Sequence, residues 1–392
     1  MDFSLSAEQR LLISTVRRFI AKELQPLEQE IEDTGVLAAE KARAIFQASK
    51  ALGLYASNMP VELGGGGLSA LDTMLLEEQF GHTSDILIRR AFGNVYEVLL
   101  ECRGEQIERW LKPCITGERT ASIAITEPNA GSDAAAITTR ARKTAEGWEL
   151  SGAKHFVSDG LYSDFFIVSA VTDPSKGAKG ISLFLVDKAS LGFKVGKDQG
   201  MMGLRGSSHT ELFFDQIPLS PLNLLGEEGS GLKLILETLG RVRLGQVGAR
   251  AVGKASHVHK LTVDYAKTRE QFGKPIGEFQ LVQQMIADNT IEINAARLMV
   301  LHAASLIDQG KDARNFISMV KVQAAETLGR VVDRAVQVFG GMGFCKELPI
   351  ERYYRDARIY RIFDGTSEIH RTVIAKNTLK QGENLFGIGQ FS

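Results

Sequence analysis

Between residues 231 and 339 the chain holds three apolar-periodic stretches, 231–269, 279–309 and 311–339, separated by short breaks. Each is far longer than the helix of about 11 residues usual in soluble proteins. A helix of that length buries its apolar stripe only against partners of similar length. Short connections make such partners antiparallel neighbours, so region 231–392 is predicted to form a four-helix bundle.

The texture upstream differs. Residues 1–120 read as an N-terminal α-helical domain. Ser6-Ala7-Glu8-Gln9 is a capping box, followed by Leu12, Val16, Phe19 and Ile20 at helical spacing. Residues 121–230 carry short β-rich runs at 120–126, 164–171, 180–186 and 210–214, with turn residues such as Asp159-Gly160 and Asp173-Pro174 between runs. That alternation predicts a small β-barrel or sandwich. The expected fold class is mostly α with a central β domain. Gly64-Gly65-Gly66-Gly67 lacks the GxGxxG spacing, because Ser69 stands where the last glycine belongs, and is read as a flexible loop rather than a phosphate cradle.

Charge and cysteine content exclude several functions. The 392 residues hold 46 Lys plus Arg against 47 Asp plus Glu, which leaves no basic surface for nucleic acid. Cys102, Cys114 and Cys345 show neither metal-ligand spacing nor a disulfide framework. The start, Met1-Asp2-Phe3-Ser4-Leu5, has no signal-peptide character. No apolar run reaches the roughly 18 residues of a membrane span. These features predict a cytoplasmic protein with no metal.

The chemistry centres on Asp364, in Ile359-Tyr360-Arg361-Ile362-Phe363-Asp364-Gly365-Thr366-Ser367-Glu368. Asp before Gly-Thr-Ser is a good helix N-cap. The same carboxylate among apolar residues is also placed to be partly desolvated, which suits a general base. Three further segments join it. In Ile125-Thr126-Glu127-Pro128-Asn129-Ala130-Gly131-Ser132-Asp133 a β run ends in a hydroxyl, and small residues then leave backbone N–H groups free. Lys154-His155-Phe156-Val157-Ser158 puts an aromatic and a hydroxyl at a strand end. Arg269-Glu270-Gln271-Phe272-Gly273-Lys274, continuing to Gln280, breaks two long helices. Alone, each is ordinary turn chemistry.

Together, and in this order, they resemble the acyl-CoA dehydrogenase family. The resemblance runs from the first helix to about Leu379 and is most specific over 124–133, 269–280, 337–344 and 355–368. It implies an N-terminal helical domain, a middle β-barrel and a C-terminal four-helix bundle. It implies FAD bound without a Rossmann domain and an acyl-CoA thioester as substrate. The implied reaction is α,β-dehydrogenation, with Asp364 taking the α-proton while hydride passes to flavin N5. In this family Thr126 and Ile125 would meet the flavin ring, with Gly131 and Ser132 near the pyrophosphate and CoA. Phe156 would lie beside the flavin, and Ser158 at its N5 edge. Arg269, Phe272, Gln280, Gln337, Gly340 and Gly341 would serve the adenosine half of a neighbouring subunit's FAD, implying a homo-oligomer, a dimer of dimers. Thr366, Ser367 and Glu368 would complete the FAD site. Ser132, Arg243 and Gly365 are the implied substrate contacts. Electrons would pass to electron-transfer flavoprotein or a similar acceptor.

The chain departs from the family at the base, where most members carry Glu. Asp is one methylene shorter. Some relatives with Asp act on cyclic carboxyl-CoA thioesters, and nitroalkane oxidases also use Asp. A flavin oxidase or monooxygenase on a nitroalkane is therefore the rival reading, and a flavin-binding protein without turnover is a second. Alignment of helix register on Gly253 and Tyr265 puts the family's alternative base position at Arg243, which cannot act as a base. It leaves the family's usual arginine ambiguous between Arg241 and Arg243. His257 and His259, two apart on one helix, do not share a face. Cys345 is expected to be a packed thiol, and Arg355-Asp356 a structural ion pair.

Overall fold

The computed structural model describes residues 4–93 and 95–387. The first three residues of the N-terminal reading and the last five of the bundle region lie outside the described residues. Six helices open the chain: α1 (Ala7–Phe19), α2 (Glu28–Thr34), α3 (Ala39–Ala51), α4 (Ala70–Phe80), α5 (Asp85–Phe92) and α6 (Lys112–Thr116). The Ser6 capping box forms, with Gln9 as its reciprocal partner, and Val16, Phe19 and Ile20 enter the core. The glycine loop is neither flexible nor free for phosphate. The N–H groups of Gly64 to Gly67 all donate to backbone carbonyls between Ala56 and Val61. A Cβ on Gly65 would stand 2.2 Å from the Met59 carbonyl oxygen.

An eight-stranded sheet follows: β1 (Ala121–Ala124), β2 (Arg140–Lys143), β3 (Trp148–Ser158), β4 (Phe165–Val171), β5 (Ile181–Asp187), β6 (Phe193–Asp198), β7 (His209–Leu219) and β8 (Leu224–Leu225). Their order is β6-β7-β3-β2-β4-β5-β8, with β1 parallel to β4. The sequence reading missed β2 and β6, and of β3 it marked only the strand end at residues 154–158. All three carry charged residues at positions that pattern reading assigns to loops. Phe166, Val168, Phe184, Val186 and Leu212 fill the sheet's inner face.

The chain then returns to helices. α7 (Gly231–Val242) continues through a π-helical turn, Arg243–Ala249, into α8 (Arg250–Thr268). A short hairpin, β9 (Glu270–Gln271) and β10 (Lys274–Pro275), leads to α9 (Gln280–Asp308) and α10 (Arg314–Phe339). Next come α11 (Gly341–Phe344), α12 (Ile350–Ala357), α13 (Ser367–Gln381) and α14 (Glu383–Phe386). α8, α9 and α10 pack on one another around Val258, Ile293, Val300, Ala324, Leu328 and Val331. α13 packs on α10 as the fourth wall. α9 is long and apolar enough, by length and composition, to cross a membrane, which the run count had not shown. It sits in the bundle, with Leu281, Ile291 and Leu298 left exposed.

Candidate active site

Asp364 lies on the turn between the 3₁₀ segment Arg358–Arg361 and α13, part-buried, with φ +54°. Non-glycine residues avoid that region, although Asp and Asn tolerate it best. The helix cap is not Asp364. Thr366 is the N-cap of α13, its hydroxyl accepting from the Ile369 N–H at 3.2 Å. The Asp364 carboxylate is therefore free of capping. Its backbone carbonyl is held twice, by Arg243 Nε at 2.7 Å and His370 Nε2 at 3.2 Å. A carbonyl only accepts, so His370 carries its proton on Nε2. Burial raises the Asp364 carboxyl above its ordinary range, and the charges of Arg243 and Lys321 oppose that rise. A carboxyl lifted in this way is suited to proton abstraction near neutral pH.

The strand ends of the β domain supply further walls. Lys154 on β3 is fully buried, and its Nζ donates to the Ile125 carbonyl (2.9 Å), Glu127 Oε1 (2.8 Å) and Ser169 Oγ (3.1 Å). Glu127 also accepts from the Thr138 and Thr139 N–H groups. Burial alone would raise the Glu127 carboxyl, but the Lys154 bond and charge and these N–H donors hold it down at about 2. Burial presses the Lys154 ammonium down to about 8 despite Glu127. The His155 N–H donates to the Thr126 carbonyl at 2.7 Å. The turn holding Ile125 and Thr126 is thus pinned from β3. The β3–β7 register shifts between Lys154 and Val157. Phe156, inside the shift, takes φ +56°, stacks on His155 and stays 51% exposed. The irregularity turns an aromatic face outward, as bulges commonly do beside active sites.

These parts meet in one cavity of about 440 Å³. It gathers Ile125, Thr126, Gly131, Ser132, Phe156, Ser158, Asp364, Gly365 and Thr366 from the positions the sequence singled out. Sequence reasoning missed Asp85, Arg89, Tyr96, Gln246 and Arg250, which also line it. The motifs gave no signal for them, since none lies in a turn beside a matched segment. Arg250, buried, and Arg89, part-buried, pair with Asp85 at 3.3 and 2.5 Å, forming an ionic floor.

The residues fit a flavin. A Cβ on Gly131 would meet nothing within 4 Å, leaving its backbone open to a ligand. Three hydroxyls, from Thr126, Ser132 and Ser158, line the same space as the uncovered faces of Phe156 and Ile125. Flat apolar walls with a few polar groups suit a planar heteroaromatic ring.

Other candidates fall elsewhere. Arg243 does not line the cavity, since its guanidinium is engaged behind the Asp364 turn. Its expected substrate contact is therefore corrected to a contact with the base's backbone. Arg241 faces away and pairs with Glu97 at 3.5 Å. Glu368 is exposed on α13 outside the cavity. Arg269, Phe272, Gln280, Gln337, Gly340 and Gly341 are exposed on the bundle and line none of this cavity. Phe272 is 94% exposed. Cys345 is exposed rather than packed. Arg355 pairs with Glu351 and Glu32, while Asp356 accepts from the Leu204 N–H, so the two form no ion pair with each other. His257 packs on His82 and Tyr353, and His259 bonds Thr290. No cluster of metal-ligating side chains occurs among the described residues.

A second cavity, about 460 Å³, adjoins the first through Tyr96, Val242, Gln246 and Arg250. Glu97, Arg241, Asn58 and Thr238 line it among the aliphatic walls.

Comparison with known proteins accords with this geometry. Three family models match in order: the acyl-CoA dehydrogenase N-terminal domain over residues 6–118, middle domain over 122–217 and C-terminal domain over 229–379. The chain belongs to the acyl-CoA dehydrogenase family. It is 38% identical over 388 residues to an acryloyl-CoA reductase (NADH) of Anaerotignum propionicum, covering 97% of each chain. It is 35% identical to the CarC subunit of the caffeyl-CoA reductase-Etf complex of Acetobacterium woodii, covering 96% of this chain and 99% of that one. A solved FAD complex of PigA superposes with a TM-score of 0.89 at 30% identity, covering 97% of this chain and all of that one. Family membership makes the protein an FAD-dependent oxidoreductase acting on the CH–CH bond of an acyl-CoA thioester.

Proposed function

We propose that Asp364 is the base that removes the α-proton of the acyl-CoA, within the 440 Å³ cavity. The observation that carries this reading is the pairing in one cavity of a part-buried, pKa-raised carboxylate with the Thr126, Phe156 and Ser158 wall. Bound FAD supplies the hydride acceptor that no side chain offers. The protein supplies position. The Lys154–Glu127 pair fixes the Ile125–Thr126 turn, and the Arg243 and His370 bonds fix the Asp364 turn. Tyr360, Phe363 and Leu239 give the same wall an apolar lining. Thr126, Ser158, Ile125, Phe156, Gly131, Ser132 and Thr366 hold the flavin, and Gly365 meets the thioester.

The acyl group extends into the adjoining cavity. Its Glu97–Arg241 pair tolerates a polar or bulky tail better than a purely aliphatic one. The Asp base, shorter than the family's usual Glu, matches substitution close to the α-carbon. Relatives named as reductases of acrylate-type compounds favour α,β-unsaturated thioesters as the oxidised partner. The exposed adenosine-side residues and the bare apolar face of α9 favour a dimer completed by a second copy, doubled into a tetramer. Electron-transfer flavoprotein is the proposed acceptor, favoured by the Etf complex of the CarC relative. Cytoplasmic fatty acid metabolism is the proposed setting.

The test is an anaerobic screen of straight, branched, cyclic and aryl acyl-CoA thioesters for bleaching of the flavin absorbance. Bleaching by an acyl-CoA with Asp364 intact, and its loss in Asp364→Asn, supports the proposal. Bleaching by a nitroalkane alone refutes it.

A further inference from the structure

Behind Asp364 lies a group that the proposed mechanism has not used. Lys321, in the middle of α10, is 0% exposed, and its Nζ has no hydrogen-bond partner among the described residues. α10 packs directly against α13, the π-helical turn and the 3₁₀ segment before Asp364. A buried ammonium without a partner is expensive for a fold. A methionine of similar length would fill the same space without that cost. Local packing therefore gives no reason for a lysine here.

We propose that Lys321 is a positioning residue for Asp364: a buried cation that acts from behind the base to hold its carboxylate ionised. The proposal rests on Asp364 being the base. The surroundings support it. Of the charged groups facing Lys321, Asp364 acts most strongly, followed by Arg243, Glu368 and Glu326. Burial lowers the Lys321 ammonium to about 8, so it remains charged at neutral pH. Facing Asp364 are Arg243 from the π-helical turn, Lys321 from α10, and Arg89 and Asp85 from α5. His370 from α13 is lowered to about 4, mainly by burial, and is neutral at pH 7. Arg243 spends its Nε on the Asp364 backbone carbonyl. Lys321 makes no such bond among the described residues, and the group its charge acts on most strongly is Asp364.

The sign follows. Burial raises the Asp364 carboxyl, and Lys321 works against that rise. Removing the cation leaves burial less opposed. The carboxyl then holds its proton to higher pH, and the acid limb of flavin reduction moves up. Lys321 makes no direct ion pair with Asp364 among the described residues and acts on it after Arg243. Its effect therefore lies at the low end of the range of about 1–3 units that a neighbouring opposite charge contributes, and the limb should move by roughly one unit. At a pH on the acid side, the Lys321→Met enzyme should be about tenfold slower. Well above the shifted limb it should approach the wild-type rate. Lys321→Arg keeps the charge and should restore the original limb.

The experiment measures single-turnover flavin reduction against pH for Lys321→Met, Lys321→Gln and Lys321→Arg holoenzymes. In parallel, an infrared titration follows the protonated-carboxyl band that Asp364→Asn abolishes. That band reads Asp364 directly, so it reports on Lys321 even if Asp364 proves not to be the base. A neutral variant whose band and rate limb both move up, with Lys321→Arg unmoved, supports the proposal. A uniform rate loss at every pH, or an Asp364 band that titrates as in wild type, overturns it. Should Lys321→Met fail to fold, Lys321→Gln makes the same test.

Discussion

Asp364→Asn separates chemistry from architecture in this protein. The structure assigns the cap to Thr366, so the substitution removes no capping bond. Asn tolerates the left-handed φ of +54° about as well as Asp. The carbonyl bonds to Arg243 and His370 use the backbone and survive. Stability should not fall. The folded-state carboxyl is raised above its ordinary 3.8, so ionising it in the fold costs stability. That cost is absent below pH 3.8 and fully present once pH passes the raised value. Asn carries no charge and escapes it, so the variant should unfold at an equal or slightly higher temperature at pH 7. Turnover should behave in the opposite way. General-base catalysis contributes about 10²–10⁴-fold, or roughly 2.7–5.4 kcal/mol of barrier. The assay is anaerobic stopped-flow reduction of the bound flavin by the best acyl-CoA, alongside FAD content and a thermal melt. Flavin reduction within a few-fold of wild type would refute the assignment of the base. So would a lost rate accompanied by lost FAD or a large drop in stability, since that would mark Asp364 as structural.

Four further outcomes are expected. Asp364→Glu pushes the carboxylate about 1 Å into a cavity matched to Asp and should slow flavin reduction by up to about 100-fold; a gain in rate would show a pocket shaped for Glu. Lys154→Met leaves Glu127 buried and uncompensated, so it should destabilise by about 3–5 kcal/mol in urea unfolding and loosen FAD, because the Ile125–Thr126 turn loses its anchor. Thr126→Val should keep FAD bound but slow its reduction and shift its potential, read by stopped flow and redox titration. Arg269→Ala should weaken FAD retention on gel filtration in an enzyme that light scattering shows to be oligomeric; a monomer with stoichiometric FAD would sink the shared-site arrangement.

Much of this protein was legible in its sequence because the signals were local. Helix periodicity over 231–339 places the bundle, since each repeat of apolar residues reports the face a helix buries. The Ser6 capping box marks the first helix start from adjacent residues alone. The matched segments around Thr126, Ser158 and Asp364 pick out side chains that the fold brings into one cavity. β2 and the body of β3 were not legible. Lys154 on β3 is buried only because Glu127 waits on a separate turn to pair with it, while the charged residues of β2 stay exposed and carry no strand signal.

Tertiary structure alone decided the rest. Sequence left Asp364 open between cap and base, because both readings use the same neighbours; the fold gives the cap to Thr366. Arg241 and Arg243 are near-equivalent along the chain, yet the fold brings Arg243 to a carbonyl 121 residues away and Arg241 to Glu97. Lys321 reads in sequence as one more residue of a long helix. Its charge matters because folding removes it from water behind the base. A carboxylate's pKa is set by burial and by charges from distant elements, and neither is a property of local sequence.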